Sequence, residues 1–549
     1  MFVRLLFNVY QKGRTLAHIL QLPSIPLVST GSCAWLELFT LFQSVNNSEH
    51  EKLNWWLYFL ADLNLKIKVL SMQNLIAFIL LSSVIFSDLF ANSAYKPKLV
   101  NSKSGEHHDF PLGVLEATGR LKDGDRKILI MDVGVDGLAH RAGLQAGDRI
   151  KKIENKIPDQ FSKKTDTGLA GPQDLLGRSL DRKAAASNEP LSIEILRGEQ
   201  SQQLKISLPK CRSFSFSNPQ LCLKRKEYLS GIAEQLVNTQ QSNGRWKPGV
   251  GGDADVYTTA FCGLVLLANN NPTHLPSIRK AIEFVKKASI ATIDTEDPKK
   301  GPKNWQTAMN GIFLAEYQLA TGDAKYFEDL KKCCDLLVER VTEKGTMGHH
   351  FSIPYSGGGL IVINVQAHLA WALAEKCGYP INEKTWANSF SEVKKSRDPK
   401  TGALGYSSRA PWSPDISART GGMVTALMVS GREGKYANAL ADSLFYLNGR
   451  MRHAHAMSSI GLIFGFSGIK TGAPQRYAEL MQTWIPYLEL SRLPDEGAAF
   501  FGGKRNIGGD QYLGYSSIGN AMVGLVLASA DDRLFMHGGK KEGWFGRGK

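Results

Sequence analysis

Between residues 224 and 535 apolar positions recur with the period of a helix, in runs separated by Gly- and Pro-containing loops, and the runs are of two kinds. One kind is amphipathic. LPSIRKAIEFVKKAS, YFEDLKKCCDLLVERV and APQRYAELMQTWIPYLEL each carry an apolar stripe and a charged face, which predicts helices packed on one side only. The other kind is apolar or small nearly all round, and it repeats. Ala260, Gly263 and Leu266 share their spacing with Ala308, Gly311 and Leu314, and with Ala367, Ala370 and Leu373. Gly422, Thr425 and Met428 follow, then Ser458, Gly461 and Phe464, and last Ala521, Gly524 and Leu527, at separations of 36 to 63 residues. A helix without a polar face must be buried all round, and small residues at i and i+3 let neighbouring backbones approach closely. Six inner helices of this kind, alternating with six amphipathic outer ones and lacking an obvious polar cap, predict a closed all-α (α/α)6 toroid over 224–535.

The preceding region differs. From Phe110 to Lys210 short apolar runs broken by Gly predict strands with one inserted helix. Gly137-Leu138-Ala139-His140-Arg141-Ala142-Gly143-Leu144, followed by Ala146-Gly147-Asp148-Arg149-Ile150, resembles the core phrase of bacterial PDZ domains. The resemblance implies a small mixed β/α PDZ domain over 105–210 and a linker over 211–223. It also implies that Leu112, Gly113, Thr118 and Gly119 lie in or beside the loop whose amides meet the carboxylate of a C-terminal peptide, with the next strand accepting that peptide as an added strand. This loop is longer than the usual four-residue version, so a PDZ domain kept as a packing module is the other reading.

Upstream, Lys66 and Lys68 precede the apolar run LIAFILLSSVIF, residues 75–86, and the small-residue cluster Ala91-Asn92-Ser93-Ala94 follows it. Charge, short apolar core and small residues in that order predict a signal peptide over 72–94, with Met72 as the true start and 1–71 as an upstream extension. Twelve apolar residues are short for a bilayer, so no stable membrane span is expected after cleavage, and the protein is expected to be exported to the periplasm or the extracellular space.

The formal charge of +15 is spread along the chain, apart from a basic tail over 536–549. No zinc-finger spacing or aromatic-basic RNA motif accompanies it, so no nucleic-acid partner is expected. An acidic glycan or a membrane surface accounts for the charge equally well. Of seven cysteines only Cys33 precedes residue 95; Cys211 and Cys222 flank RSFSFSNPQL and could close a small loop in an oxidising compartment, or be an inert pair. Cys333 and Cys334 read as small apolar packing groups.

Gln240, Gly244, Trp246 and Thr259-Ala260 resemble the glutamine-tryptophan repeat of the terpenoid cyclase and prenyltransferase toroids. The cyclases' Asp-x-Asp-Asp-Thr-Ala is not matched, because Asp253 and Asp255 are followed by Val256, Tyr257 and Thr258 before Thr259-Ala260. Neither Tyr257 nor Thr258 can protonate an alkene, so cyclase activity is not expected, and Asp255 reads as a first-turn acid facing the helix dipole. The order signal, PDZ and toroid resembles a secreted bacterial family of unknown function. The residues that carry this are Gly449-Arg450-Met451-Arg452-His453-Ala454-His455-Ala456, Trp484 to Arg492, Asp495-Glu496-Gly497, and Gly508 to Tyr515.

Polar residues gather just before the inner helices: His349, His350 and Tyr355, then Tyr406 and Arg409, then His453 and His455, then Asp510, Tyr512 and Tyr515. In a toroid these helix starts share one mouth, which makes them candidate cavity residues. No catalytic motif, metal set or cofactor fingerprint is recognised; Gly-x-Ser-x-Gly, His-Glu-x-x-His and a phosphate loop are all missing. Two readings stand. The first is an exported binding protein that holds a protein tail at the PDZ and a glycan or other ligand in the cavity. The second is a glycan-active enzyme, a lyase or hydrolase, using the same mouth. For the exported chain, N-terminal sequencing should give a start between Asn92 and Lys96; a mature form retaining residues 1–71 would contradict the signal.

Overall fold

In the computed structural model residues 94–549 form one compact unit, and the structure describes 95–97, 99, 107–162, 171–186, 189–246, 253–294, 296–351, 358–411, 416–452, 458–501 and 515–547. The expected signal and upstream extension lie outside the described residues. Among those residues no helix is long and apolar enough to cross a membrane.

The first part is a six-stranded antiparallel sheet in sequential order, β1 His107–Pro111, β2 Ala117–Lys122, β3 Ile128–Val133, β4 Arg149–Ile153, β5 Leu191–Arg197 and β6 Gln200–Ile206. Two helices accompany it, α1 Leu138–Arg141 and α2 Pro172–Ala185. The Ala-Gly-Asp phrase has a structural role. Buried Asp148 receives Arg197 through two bonds of 2.8 Å, while Arg197 also donates to the Gly143 carbonyl at 2.7 Å, tying β5 to the glycine-rich turn. Gly198, at φ +59°, supplies the turn from β5 into β6.

The second part contains α3 Leu223–Thr239, α4 Asp253–Asn269, α5 Leu275–Ala288, α6 Asn304–Thr321, α7 Phe327–Glu339, α8 Ile361–Lys376, α9 Glu383–Lys395 and α10 Ser417–Ser430. It continues with α11 Gly434–Tyr446, α12 Ser458–Gly472, α13 Tyr477–Thr483, α14 Ile485–Ser491 and α15 Tyr515–Ala528. The six repeated segments are α4, α6, α8, α10, α12 and α15. Each packs on the next and α15 packs on α4, so the ring closes. Small residues make the contacts: Gly263 faces the Phe313 ring, Gly311 faces Ala370, Gly422 faces Val365, and Gly524 faces Val265 at the closure. Gly421 and Gly468 bring the backbones of α10 and α12 together. The run APQRYAELMQTWIPYLEL is two helices, because Pro486 in the first turn of α14 has no N–H to continue the ladder from α13.

Residues 211–223 are a packed joint instead of a free linker. Phe214 and Phe216 are buried and stacked, and Lys224 lies 4.7 Å over the Phe214 ring. Lys224 is 3% exposed and pairs with Asp181 of α2 at 2.7 Å and with fully buried Glu489 of α14 at 2.6 Å. Gly177 of α2 sits directly on Pro486, and Gly113, at φ +60°, sits on the Glu489 carbonyl. Only a residue without Cβ allows these approaches. The sheet and the ring therefore share one core. Cys211 and Cys222 are both free thiols, with Cys222 buried.

Leu112, Gly113, Thr118 and Gly119 are all buried at this junction, and Thr118 bonds the Tyr95 hydroxyl at 2.7 Å. β2 is paired with β1 on one side and β3 on the other. A peptide strand added beside β2 would have to displace β1.

A side chain at Gly421 runs into the Phe464 carbonyl, whereas Gly434 at the exposed start of α11 has open space. Gly421→Ala is expected to cost about 1–3 kcal/mol through overpacking, read from the urea midpoint. Gly434→Ala should change stability by less than about 1 kcal/mol. Equal effects would contradict the close α10–α12 contact.

Candidate functional site

Among the described residues the approaches to three inner helices, α6, α8 and α10, are joined. Asn304 at the start of α6 donates its backbone N–H to the His349 carbonyl at 2.8 Å, and its side chain donates to the Gly348 and His350 carbonyls. Ile361 at the start of α8 donates to the Tyr406 carbonyl at 3.2 Å. The approaches to α6, α8 and α10 are thereby one continuous rim. Arg452, ahead of α12, donates to the Phe501 carbonyl and places its guanidinium 5.0 Å over the Phe501 ring and 5.5 Å over Tyr487, extending the rim toward α15.

His349, His350 and Tyr406 are brought together on this rim, half-buried, with Arg409 on the exposed turn beyond Tyr406. Tyr355, His453, His455, Asp510 and Tyr512 lie outside the described residues; Tyr515 opens α15, but its side chain lies outside them too. The rim also holds groups that motif reading passed over. Trp305, half-buried at the start of α6, donates its indole N–H to His349 Nδ1 at 2.7 Å and stacks on that ring. Arg419 in the first turn of α10 lies 5.8 Å over Tyr406. Both sit where the repeat register puts the start of an inner helix. Arg452 lay within a phrase singled out for its histidines.

Below the rim, side chains of the described residues meet across the ring. The Gln366 side chain of α8 donates to the Tyr257 hydroxyl of α4 at 2.9 Å, and Phe261 of α4 meets Phe464 of α12 at 6.3 Å. These pairs join helices that are not neighbours in the ring, so they meet across its interior. Tyr257 is buried, and burial pushes its phenol well above the ordinary range, so it stays protonated. Asp255 is a first-turn acid of α4 paired with Arg245 at 2.6 Å. The glutamine-tryptophan residues are scaffold: Trp246 is buried with its indole N–H on the Leu236 carbonyl, and Gln240 bonds the Gly244 and Ser277 carbonyls.

The opposite end is covered by residues 531–547, so the expected basic tail is packed along most of its length. Gly543 and Phe545 donate backbone N–H groups to the Leu319 and Ala320 carbonyls at the end of α6. Arg533 donates to the Ala268 and Asn269 carbonyls at the end of α4. These groups satisfy helix-end acceptors that otherwise have no partner. Buried Glu316 of α6 accepts from the backbone N–H groups of Phe535 and Met536 at 3.0 and 2.7 Å. The described residues thus define an α/α toroid with side chains meeting across its interior, one covered end and one mouth that carries Trp305, His349 and Tyr406.

The chain belongs to the family described as "Domain of unknown function (DUF6288)", which matches residues 229–538. No curated protein matches it. Similar solved structures include an inactive variant of the α-1,6-mannanase GH76A of Salegentibacter sp. HEL1_6 in complex with α-1,6-mannotriose, at 13% identity and TM-score 0.42, covering 56% of this chain and 98% of that one. Others are a type II terpene cyclase from Scytonema in complex with geranylgeranyl dihydroxybenzoate (11%, TM-score 0.39, 56% and 99%) and a cellobiose 2-epimerase from Bacillus thermoamylovorans B4167 (11%, TM-score 0.41, 55% and 98%).

Burial pushes the Glu316 carboxyl from 4.5 up to about 7, against the pull of its two N–H donors. A carboxyl harder to ionise in the folded chain adds stability in full below its unfolded value and loses it as pH rises through the folded one. Between pH 4.5 and 7 the chain should therefore lose on the order of 3 kcal/mol more than Glu316→Gln, from urea midpoints. A steeper loss in the variant would contradict this.

Proposed function

We propose that the protein is an exported glycan-binding protein whose ligand lies across the toroid mouth. The observation that carries this is the joined rim, on which half-buried Trp305, His349 and Tyr406 stand beside the buried guanidiniums of Arg419 and Arg452, with Arg409 exposed at its edge. Aromatic faces present flat apolar area to a sugar ring, and guanidinium and imidazole groups supply hydrogen bonds to hydroxyls and carboxylates. His350, Tyr355, Arg409, His453, His455, Asp510, Tyr512 and Tyr515 belong to this proposed mouth by their place ahead of the inner helices.

The sheet module, read as a PDZ domain, is assigned a packing role in this proposal. Its carboxylate loop is spent on Glu489 and Leu490, and both edges of β2 are taken. Export rests on the signal expected over 72–94.

The test is retention of acidic and neutral polysaccharides on the immobilised mature chain, with assays for new reducing ends and unsaturated products. Retention should fall several-fold in Trp305→Ala, since an aromatic face contributes about 0.5–1.5 kcal/mol beyond the area it buries, and should weaken in His455→Ala and Tyr512→Phe, with no product in any sample. Product that vanishes in these variants would replace binding by catalysis at the same mouth. Retention indifferent to all three would remove the mouth as the site.

A further inference from the structure

A second site lies away from the mouth, in the joint between sheet and ring. A cleft of about 570 Å³ opens there, within the size range of small-molecule sites. Its walls come from three places in the chain: Cys211 and its basic neighbours after β6, Lys224 and Tyr228 on α3, and Arg492 and Glu496 after α14.

The chemistry of the inner wall is unfinished. Tyr228 is 1% exposed and its hydroxyl has no hydrogen-bond partner among the described residues. Arg492 is 9% exposed; one edge of its guanidinium reaches Glu489 at 3.3 Å and the Cys211 sulfur at 3.4 Å, while its Nε–H has no acceptor. A buried donor left unpaired is destabilising, because its hydrogen bond to water is lost and not replaced. Two such donors in the wall of one cleft form an incomplete acceptor site, and the acceptor is missing on the protein side.

The charges narrow what completes it. Behind the wall Lys224 and Arg492 offset Asp181 and Glu489, and at the surface Arg212 is paired with Glu227 at 3.0 Å. Exposed Lys210 has no ion pair among the described residues, and exposed Glu496 lines the same opening. Guanidinium, phenol and ammonium around one opening suit a single carboxylate or phosphate group. Glu496 and Glu227 disfavour a polyanion. We propose that this cleft binds a small molecule bearing one carboxylate or one phosphate group, held by Arg492 Nε, the Tyr228 hydroxyl and Lys210, and that its occupancy tightens the joint between sheet and ring.

Cys211 reports on the cleft because its half-buried thiol lines the wall, whereas Cys222, Cys262, Cys333 and Cys334 are buried. The experiment measures alkylation of Cys211 in the full chain, by mass spectrometry of its peptide, against rising acetate or inorganic phosphate at constant ionic strength. Saturable protection of Cys211 is expected. Protection by acetate alone assigns carboxylates, and by phosphate alone assigns phosphate monoesters. In Tyr228→Phe, which keeps the ring, and in Lys210→Ala, on the surface, the half-protection concentration should rise about tenfold or more, as loss of one hydrogen bond to a charged group predicts. Labelling unaffected by either anion would overturn the proposal, as would protection that both variants leave unchanged. Retention of polysaccharide at the mouth should be the same in both variants, which keeps this test separate from that of the glycan reading.

Discussion

Closure of the inner ring depends on how closely helix backbones can approach, and the small residues set that distance. Gly263, Gly311, Gly422 and Gly524 each receive a neighbour's side chain, and Gly421 and Gly468 meet backbone to backbone. Each contact is individually weak. Together they hold six helices at one radius, and the mouth exists because those helices start at one end of a closed ring. An open superhelix with the same helices would spread Trp305, Tyr406 and Arg452 along a surface.

The two ends of the ring solve the same problem differently. Inner helices expose unpaired carbonyls at one end and unpaired N–H groups at the other. At the carbonyl end the chain's last described residues, from Arg533 to Phe545, supply donors and cover the opening. At the N–H end the entering loops bond to one another in series, through Asn304 and His349 and through Ile361 and Tyr406, leaving side chains to face outward. The proposed mouth lies at the end where the backbone is satisfied by loops. Loops can carry varied side chains without disturbing the ring, while the sheet braces the wall at α14 through the cluster of Lys224, Asp181 and Glu489.

The ring was legible because burial on all sides imposes a composition no other helix tolerates, and a spacing of small residues that repeats. The register then located the mouth, and His349 and Tyr406 fell on it. Trp305 and Arg419 were passed over because one Trp or Arg at a helix start carries no local signal; only its neighbours across the rim give it meaning. The Ala-Gly-Asp phrase was legible because part of its constraint is local, the Asp148 carboxylate accepting from the Gln145 N–H, although its partner Arg197 lies far along the chain. What the sheet does with β2 was not, since burial of Gly113 on Glu489 joins positions hundreds of residues apart and closes the loop ahead of a strand already paired with β1. The break at Pro486 was present in the sequence as a proline inside an otherwise continuous stripe. The packed course of residues 536–547 was hidden, because Lys540, Lys541 and Arg547 mask backbone donors and Trp544 that do the packing.

The central claim, a single ligand-bearing mouth at the start of the inner helices, is tested most directly by amide hydrogen exchange of the mature chain with and without a retained oligosaccharide. The account predicts slower exchange at once in the entries to α6, α8, α10 and α12, near residues 303–307, 347–351, 404–411 and 449–460. No change is predicted at the opposite ends, near 267–271, 319–323 and 375–378. Protection confined to the sheet, to the outer helices or to the covered end would contradict it.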